Sequence, residues 1–200
     1  MRNSELFKIL NREKIPYTIV EGEHDVESYK IDNKFSNVDI DVVLQTNSKY
    51  IMTVLKESGG FDYLGGHSFR DKKYNIRLDL YFFVLNVGYY TFLKVNHKSF
   101  FNKTLSKEEY IIYNLLDPLL KFSQYYPRHQ YRLAKYFAVE LPQEVRIILD
   151  CTIGRFLSNI LLNKVKNNDF RISRIFIKIC KFRLLFINGN FVNMLKSRLF

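Results

Sequence analysis

The chain has 200 residues, 47% hydrophobic and 26% charged, which is the composition of one folded domain, or one with a small appendage, and excludes disorder for its bulk. Eight Gly and four Pro exclude collagen-like and low-complexity readings, and two cysteines, Cys151 and Cys180, are too few for a disulfide framework or a zinc site, so they read as reduced thiols. The net charge of +11 is uneven: residues 1–100 hold 14 Lys and Arg against 13 Asp and Glu, whereas residues 101–200 hold 17 against 7.

The first residues, Met1 to Lys8, lack the long apolar run of a signal peptide. No stretch has the ~18 uncharged apolar residues of a membrane span. The most apolar window, Leu80 to Leu93, reads as buried strand and loop. The expectation is a cytoplasmic protein. Glu5 to Lys14 places Leu6, Ile9 and Leu10 on one helical face, and Pro16 stops it. Tyr17 to Val20 reads as a strand ending at Gly22. Residues 23–37 read as a loop, Val38 to Leu44 as a second strand, and Asn47 to Ser58 as a helix stopped by Gly59-Gly60. Phe61 to Leu64, His67 to Arg70 and Tyr74 to Phe83 read as strands, the last two joined by a turn at Asp71-Lys72-Lys73.

From about residue 105 the pattern is helical. Ser106-x-x-Glu109 has the form of a capping box, opening a helix through Leu116, and Asp117-Pro118 reads as the start of the next. Further helices are expected over Arg128 to Val139, from Pro142 to about Ile160, over Phe170 to Ile187 and over Phe191 to Leu199. The fold class is therefore α+β. A small mixed sheet with flanking helices over residues 1–104 is followed by a basic helical half over residues 105–200.

Asp39 and Asp41 stand at i and i+2 of a strand, so both carboxylates project from one side while Ile40 and Val42 face the other. Adjacent carboxylates repel unless a cation lies between them, and Mg²⁺ or Mn²⁺ takes such oxygens. The plainer reading is a solvated strand end. Asp79, within Leu78-Asp79-Leu80, has the same context. On a neighbouring strand it completes the ligand set of a two-metal phosphoryl-transfer site. Otherwise it partners Arg77 or Lys73 at a sheet edge.

This order of elements resembles the nucleotidyltransferase superfamily of the DNA polymerase β type, over about residues 5 to 85, and most closely its small bacterial members. The residues that carry the resemblance are Tyr17 to Gly22, then Val38-Asp39-Ile40-Asp41-Val42-Val43, then Leu78-Asp79-Leu80. Leu105 to Phe122 is similar to the helix that follows the core in those relatives. The resemblance implies that Asp39 and Asp41 hold the metal of a nucleoside triphosphate such as ATP. It implies that Asp79 completes the second metal site and helps deprotonate an acceptor hydroxyl. That hydroxyl attacks the α-phosphate and pyrophosphate leaves. Gly22, Lys34 and Ser36 would then contact the nucleotide, and His67, Arg70 and Arg77 the substrates. The acceptor implied is a small molecule related to surface polysaccharide.

Glu23 stands where a small residue usually contacts phosphate, and Asp25 and Glu27 follow it. These acids favour an alternative, a catalytically degenerate member that acts as an anion- or membrane-binding scaffold. A D-x-D glycosyltransferase is a further alternative, which does not require Asp79.

Arg171, Arg174, Lys178 and Lys181 recur at i, i+3, i+7 and i+10, a basic stripe on a helix whose other faces carry Ile172, Ile175, Phe176, Ile179 and Phe186. Such a helix suits an anionic membrane surface, the phosphates of a nucleic acid or substrate, or simply water. Arg128, Arg132 and Lys135 form a second basic row, interleaved with Tyr125, Tyr126, Tyr131, Tyr136 and Phe137, which suits base stacking or a core with charges outside. No standard nucleic-acid-binding motif is present.

Overall fold

The computed structural model describes residues 5–21, 39–88, 90–137 and 141–187. The chain forms two compact units: Met1–Val84 with Val95–Leu105, and Leu85–Lys94 with Ser106–Phe200. The expected loop at 23–37, with Gly22, Lys34 and Ser36 in or beside it, and the expected helix at 191–199 lie outside the described residues.

The first unit contains helices α1 (Glu5–Arg12), α2 (Ser48–Glu57) and α3 (His97–Asn102) and strands β1 (Tyr17–Glu21), β2 (Ile40–Leu44), β3 (Phe61–Gly65), β4 (Ser68–Asp71) and β5 (Ile76–Phe82). The five strands form one mixed sheet in the order β1-β2-β5-β4-β3. β2 runs antiparallel to β1 and parallel to β5, while β4 runs antiparallel to both β5 and β3.

The alternation read from the sequence governs this sheet. Ile40, Val42, Leu44, Leu78, Leu80 and Phe69 join Leu6, Leu10, Ile51 and Leu55 of α1 and α2 in one core. Asn47 caps α2, its side chain accepting from the Lys49 amide at 2.8 Å. Gly59 follows α2 with a φ of 72°, in the left-handed region that glycine enters without strain. The β4–β5 turn is fixed by buried Asp71, whose Oδ1 accepts from the amides of Lys73 and Tyr74 at 2.9 and 3.1 Å. Helix α3, capped by Asn96, has no counterpart in the sequence reading.

The second unit contains a two-stranded sheet, β6 (Val84–Val87) with β7 (Tyr90–Lys94), which enters the unit at Leu85. Its helices are α4 (Lys107–Phe122), α5 (Pro127–Phe137), α6 (Gln143–Ile153), α7 (Arg155–Lys166) and α8 (Arg174–Leu185). The sequence assigned residues 85–94 to the first half. Leu85, Phe92 and Leu93 are buried instead in this unit, where β7 packs on α4 and α8.

Two helix boundaries also differ from expectation. Asp117-Pro118 does not start a new helix, because α4 runs through Pro118. Ile111 to Leu120 are all buried, and packing on every side outweighs the hydrogen bond that proline cannot donate. Conversely, the helix expected from Pro142 to Ile160 breaks at Gly154, whose φ of 88° no helix accepts. A Cβ there would lie 2.8 Å from the Arg183 side chain, so the break also makes room for α8. The capping box of Ser106 and Glu109 is formed in both directions.

Burial governs the acid–base behaviour of this unit. It pushes the Cys180 thiol up to about 12, and, reinforced by the nearby Cys180, holds the Tyr125 hydroxyl well above its usual range. The Tyr125 hydroxyl donates to the Leu115 carbonyl at 2.7 Å. In the unfolded chain the Cys180 thiol ionises near 9, so between about 9 and 12 the unfolded state holds fewer protons than the folded one. Stability therefore falls as pH rises through that window. Urea unfolding at about pH 8 and about pH 10 should show the loss, and Cys180→Val should shift its onset upward, leaving the part due to Tyr125.

Candidate functional site

The sheet brings the sequence-predicted acids of β2 and β5 together. Asp41 and Asp79 are direct partners across the parallel β2–β5 pair. Asp39, expected within the strand, stands just before β2, which begins at Ile40, and its charge acts on Arg77. Asp41 is buried, Asp79 is half-buried and Asp39 is exposed. The core face of both strands is fully apolar, so the carboxylates collect on the opposite face.

A guanidinium stands among them. Arg77, on the same face two residues before Asp79, donates from Nε to Asp79 Oδ1 at 3.0 Å. Its pKa is raised, first by that hydrogen bond and then, against the opposing cost of burial, by the charges of Asp79, Asp39 and Asp41. One cation thus feels all three carboxylates. Ser68, opposite Asp79 on the antiparallel β4–β5 pair, donates its hydroxyl to the same Asp79 oxygen. Arg77 also reaches Ser68 Oγ at 3.3 Å. Asp79 is therefore fixed from two strands.

The other predicted substrate contacts divide. Arg70 is exposed and stands opposite Arg77, so it shares this face. His67 turns the other way, and its exposed ring meets Phe82 edge-on at 4.9 Å. The structure does not gather His67 with the acids. Lys73 lies over the Tyr74 ring at 5.2 Å, so of the two cations considered for Asp79 it is Arg77 that binds it. Ser68 was not singled out from the sequence. Its role depends on the β4–β5 register, and the only signal for that was the turn at Asp71.

As the side chains stand, no three His, Cys, Asp or Glu of the described residues form a group that could hold a metal ion. The chemistry of the donors nonetheless fits a hard divalent cation. Asp41 and Asp79 are carboxylates on directly paired positions, and Asp39 is a third carboxylate near the same arginine. The place beside Asp79 is held by Arg77, whose side chain is 49% exposed and can swing into water. Asp79, 13% exposed, does not follow it into water, so releasing the pair costs at least ~1 kcal/mol.

The second basic row is not one outward face. Arg132 is buried and reaches Asn114 Oδ1 at 3.5 Å, while Tyr131 is exposed. No protein-family model, curated protein or solved structure matches the chain.

If Arg77 competes with cations for Asp79, then Arg77→Gln should bind Mn²⁺ about fivefold more tightly than wild type. Thermal unfolding across a Mn²⁺ titration measures this. Equal affinities would show that the guanidinium and the ion do not share a place.

Proposed function

We propose that the chain is a metal-dependent nucleotidyltransferase, moving a nucleoside monophosphate from a nucleoside triphosphate to a hydroxyl acceptor. The observation that carries this reading is the register of β2 against β5, which pairs Asp41 with Asp79, with Asp39 just before β2 and close enough for its charge to act on Arg77. The order of elements supports it too: β1, then β2 with Asp41, then β5 with Asp79, in one small mixed sheet.

In this reading Asp39 and Asp41 would hold Mg²⁺ or Mn²⁺ with the triphosphate and Asp79 would complete the ligand set, and such an ion, when bound, would supply charge neutralisation at the phosphoryl oxygens. Asp79 accepts the proton of the acceptor hydroxyl, whose oxygen attacks the α-phosphorus as the bond to pyrophosphate breaks. Ser68 keeps the Asp79 carboxylate in place during this exchange. Arg77, once released from Asp79, has Arg70 opposite it across the strand pair, and two guanidiniums on one face suit the departing phosphates.

A second reading, a catalytically silent anion-binding member, is favoured by Arg77 where a metal would stand. Thermal unfolding with each nucleoside triphosphate, with and without Mg²⁺ or Mn²⁺, separates the two. In the enzyme reading one nucleotide at ~100 times its dissociation constant adds ~2.7 kcal/mol, only with metal, and Asp39→Asn/Asp41→Asn abolishes the gain. A gain that needs no metal and survives the double substitution supports the silent binder.

A further inference from the structure

Helix α8 (Arg174–Leu185) has two apolar faces and only one is covered. Phe176, Ile177, Cys180 and Leu184 are buried in the second unit. Ile175, Ile179 and Phe182, with Phe186 just beyond the helix, are 71, 48, 64 and 68% exposed. They recur at i, i+4, i+7 and i+11, which at ~100° per residue places them in one stripe about 60° wide, roughly opposite the buried face. The rings of Phe182 and Phe186 meet at 5.2 Å, so the stripe is continuous at that end. The sequence reading gave this helix a basic polar side and weighed a core, an anionic membrane and nucleic-acid phosphates for it. The structure puts half of them in water.

Cations border the stripe. Arg174 and Lys178, both exposed, flank one side. At the N-terminal end of α8 a polar cleft of about 840 Å³ opens, walled by Arg171, Arg174, Gln124, Asn167 and Asn168. Asp169, also on its wall, is held by Lys164 and by the Arg171 amide. After Asp169 the sequence has seven Lys and Arg and no acid.

We propose that this face of α8 docks on an anionic phospholipid surface. The helix lies in the plane of the headgroups, with Ile175, Ile179, Phe182 and Phe186 at the acyl boundary and the bordering cations on lipid phosphates. Charge chooses this occupant. A second copy of the same face would bring cation against cation with no acid on the helix to relieve it. A nucleic acid would satisfy the cations and leave four large apolar side chains in water. The helix spans about 18 Å at 1.5 Å per residue, and no described helix is long and apolar enough to cross a bilayer, so α8 lies along the surface. This inference is independent of the nucleotidyltransferase reading.

Flotation of the full chain with vesicles tests it, using phosphatidylcholine alone and phosphatidylcholine mixed with phosphatidylglycerol. Wild type should float with the anionic vesicles and not with the neutral ones. Ile179→Ser/Phe182→Ser should abolish flotation while circular dichroism is unchanged. Arg174→Gln/Lys178→Gln should weaken it about twenty- to thirtyfold. No flotation on anionic vesicles, or flotation indifferent to both double substitutions, overturns the proposal. So does sedimentation velocity showing a dimer in lipid-free solution that Ile179→Ser/Phe182→Ser dissociates, since a second copy then occupies the face.

Discussion

Carboxylates that face one another across a strand pair must be offset by a cation, because burial strips the water that would otherwise screen them. In this protein the parallel pairing of β2 with β5 sets Asp41 against Asp79, and the arrangement around them follows from that constraint. Slipping the register by one residue would turn Asp41 into the core and Ile40 and Val42 out of it. The hydrophobic side of the sheet therefore locks the acidic side in place. Arg77 meets the electrostatic demand from the same strand, and Ser68 removes the remaining freedom of Asp79.

The strands of the first unit were legible because their apolar residues alternate and their ends carry turn residues. The Asp71 turn was readable for the same reason, since a short side chain that can accept from its own following amides marks such turns. The helical unit was harder. Pro118 is a strong local breaker, but nothing in its neighbours tells a reader that the helix is buried on all sides. Gly154 breaks a helix that its apolar spacing continues, because its conformation answers to Arg183, 29 positions away. Residues 85–94 read as strand and loop, yet which unit they join depends on α4 and α8.

The site divides along the same line. Asp39, Asp41 and Asp79 were visible as acids on β-type runs, a property of local pattern. The choice of Arg77 over Lys73 as the partner of Asp79, the contribution of Ser68 and the turning away of His67 all depend on which face of β4 and β5 each side chain takes. On α8, apolar residues surround most of the helix, so periodicity could not say which of them the core would take.

Arg77 offsets the acids it stands among. Without it, three carboxylates would repel one another before any ligand arrived, and the register that aligns them would be strained. An exposed guanidinium supplies the missing charge at small cost because it is long, flexible and needs no desolvation to leave. The pairing of Arg77 with Asp79 is thus what this carboxylate cluster needs in order to fold.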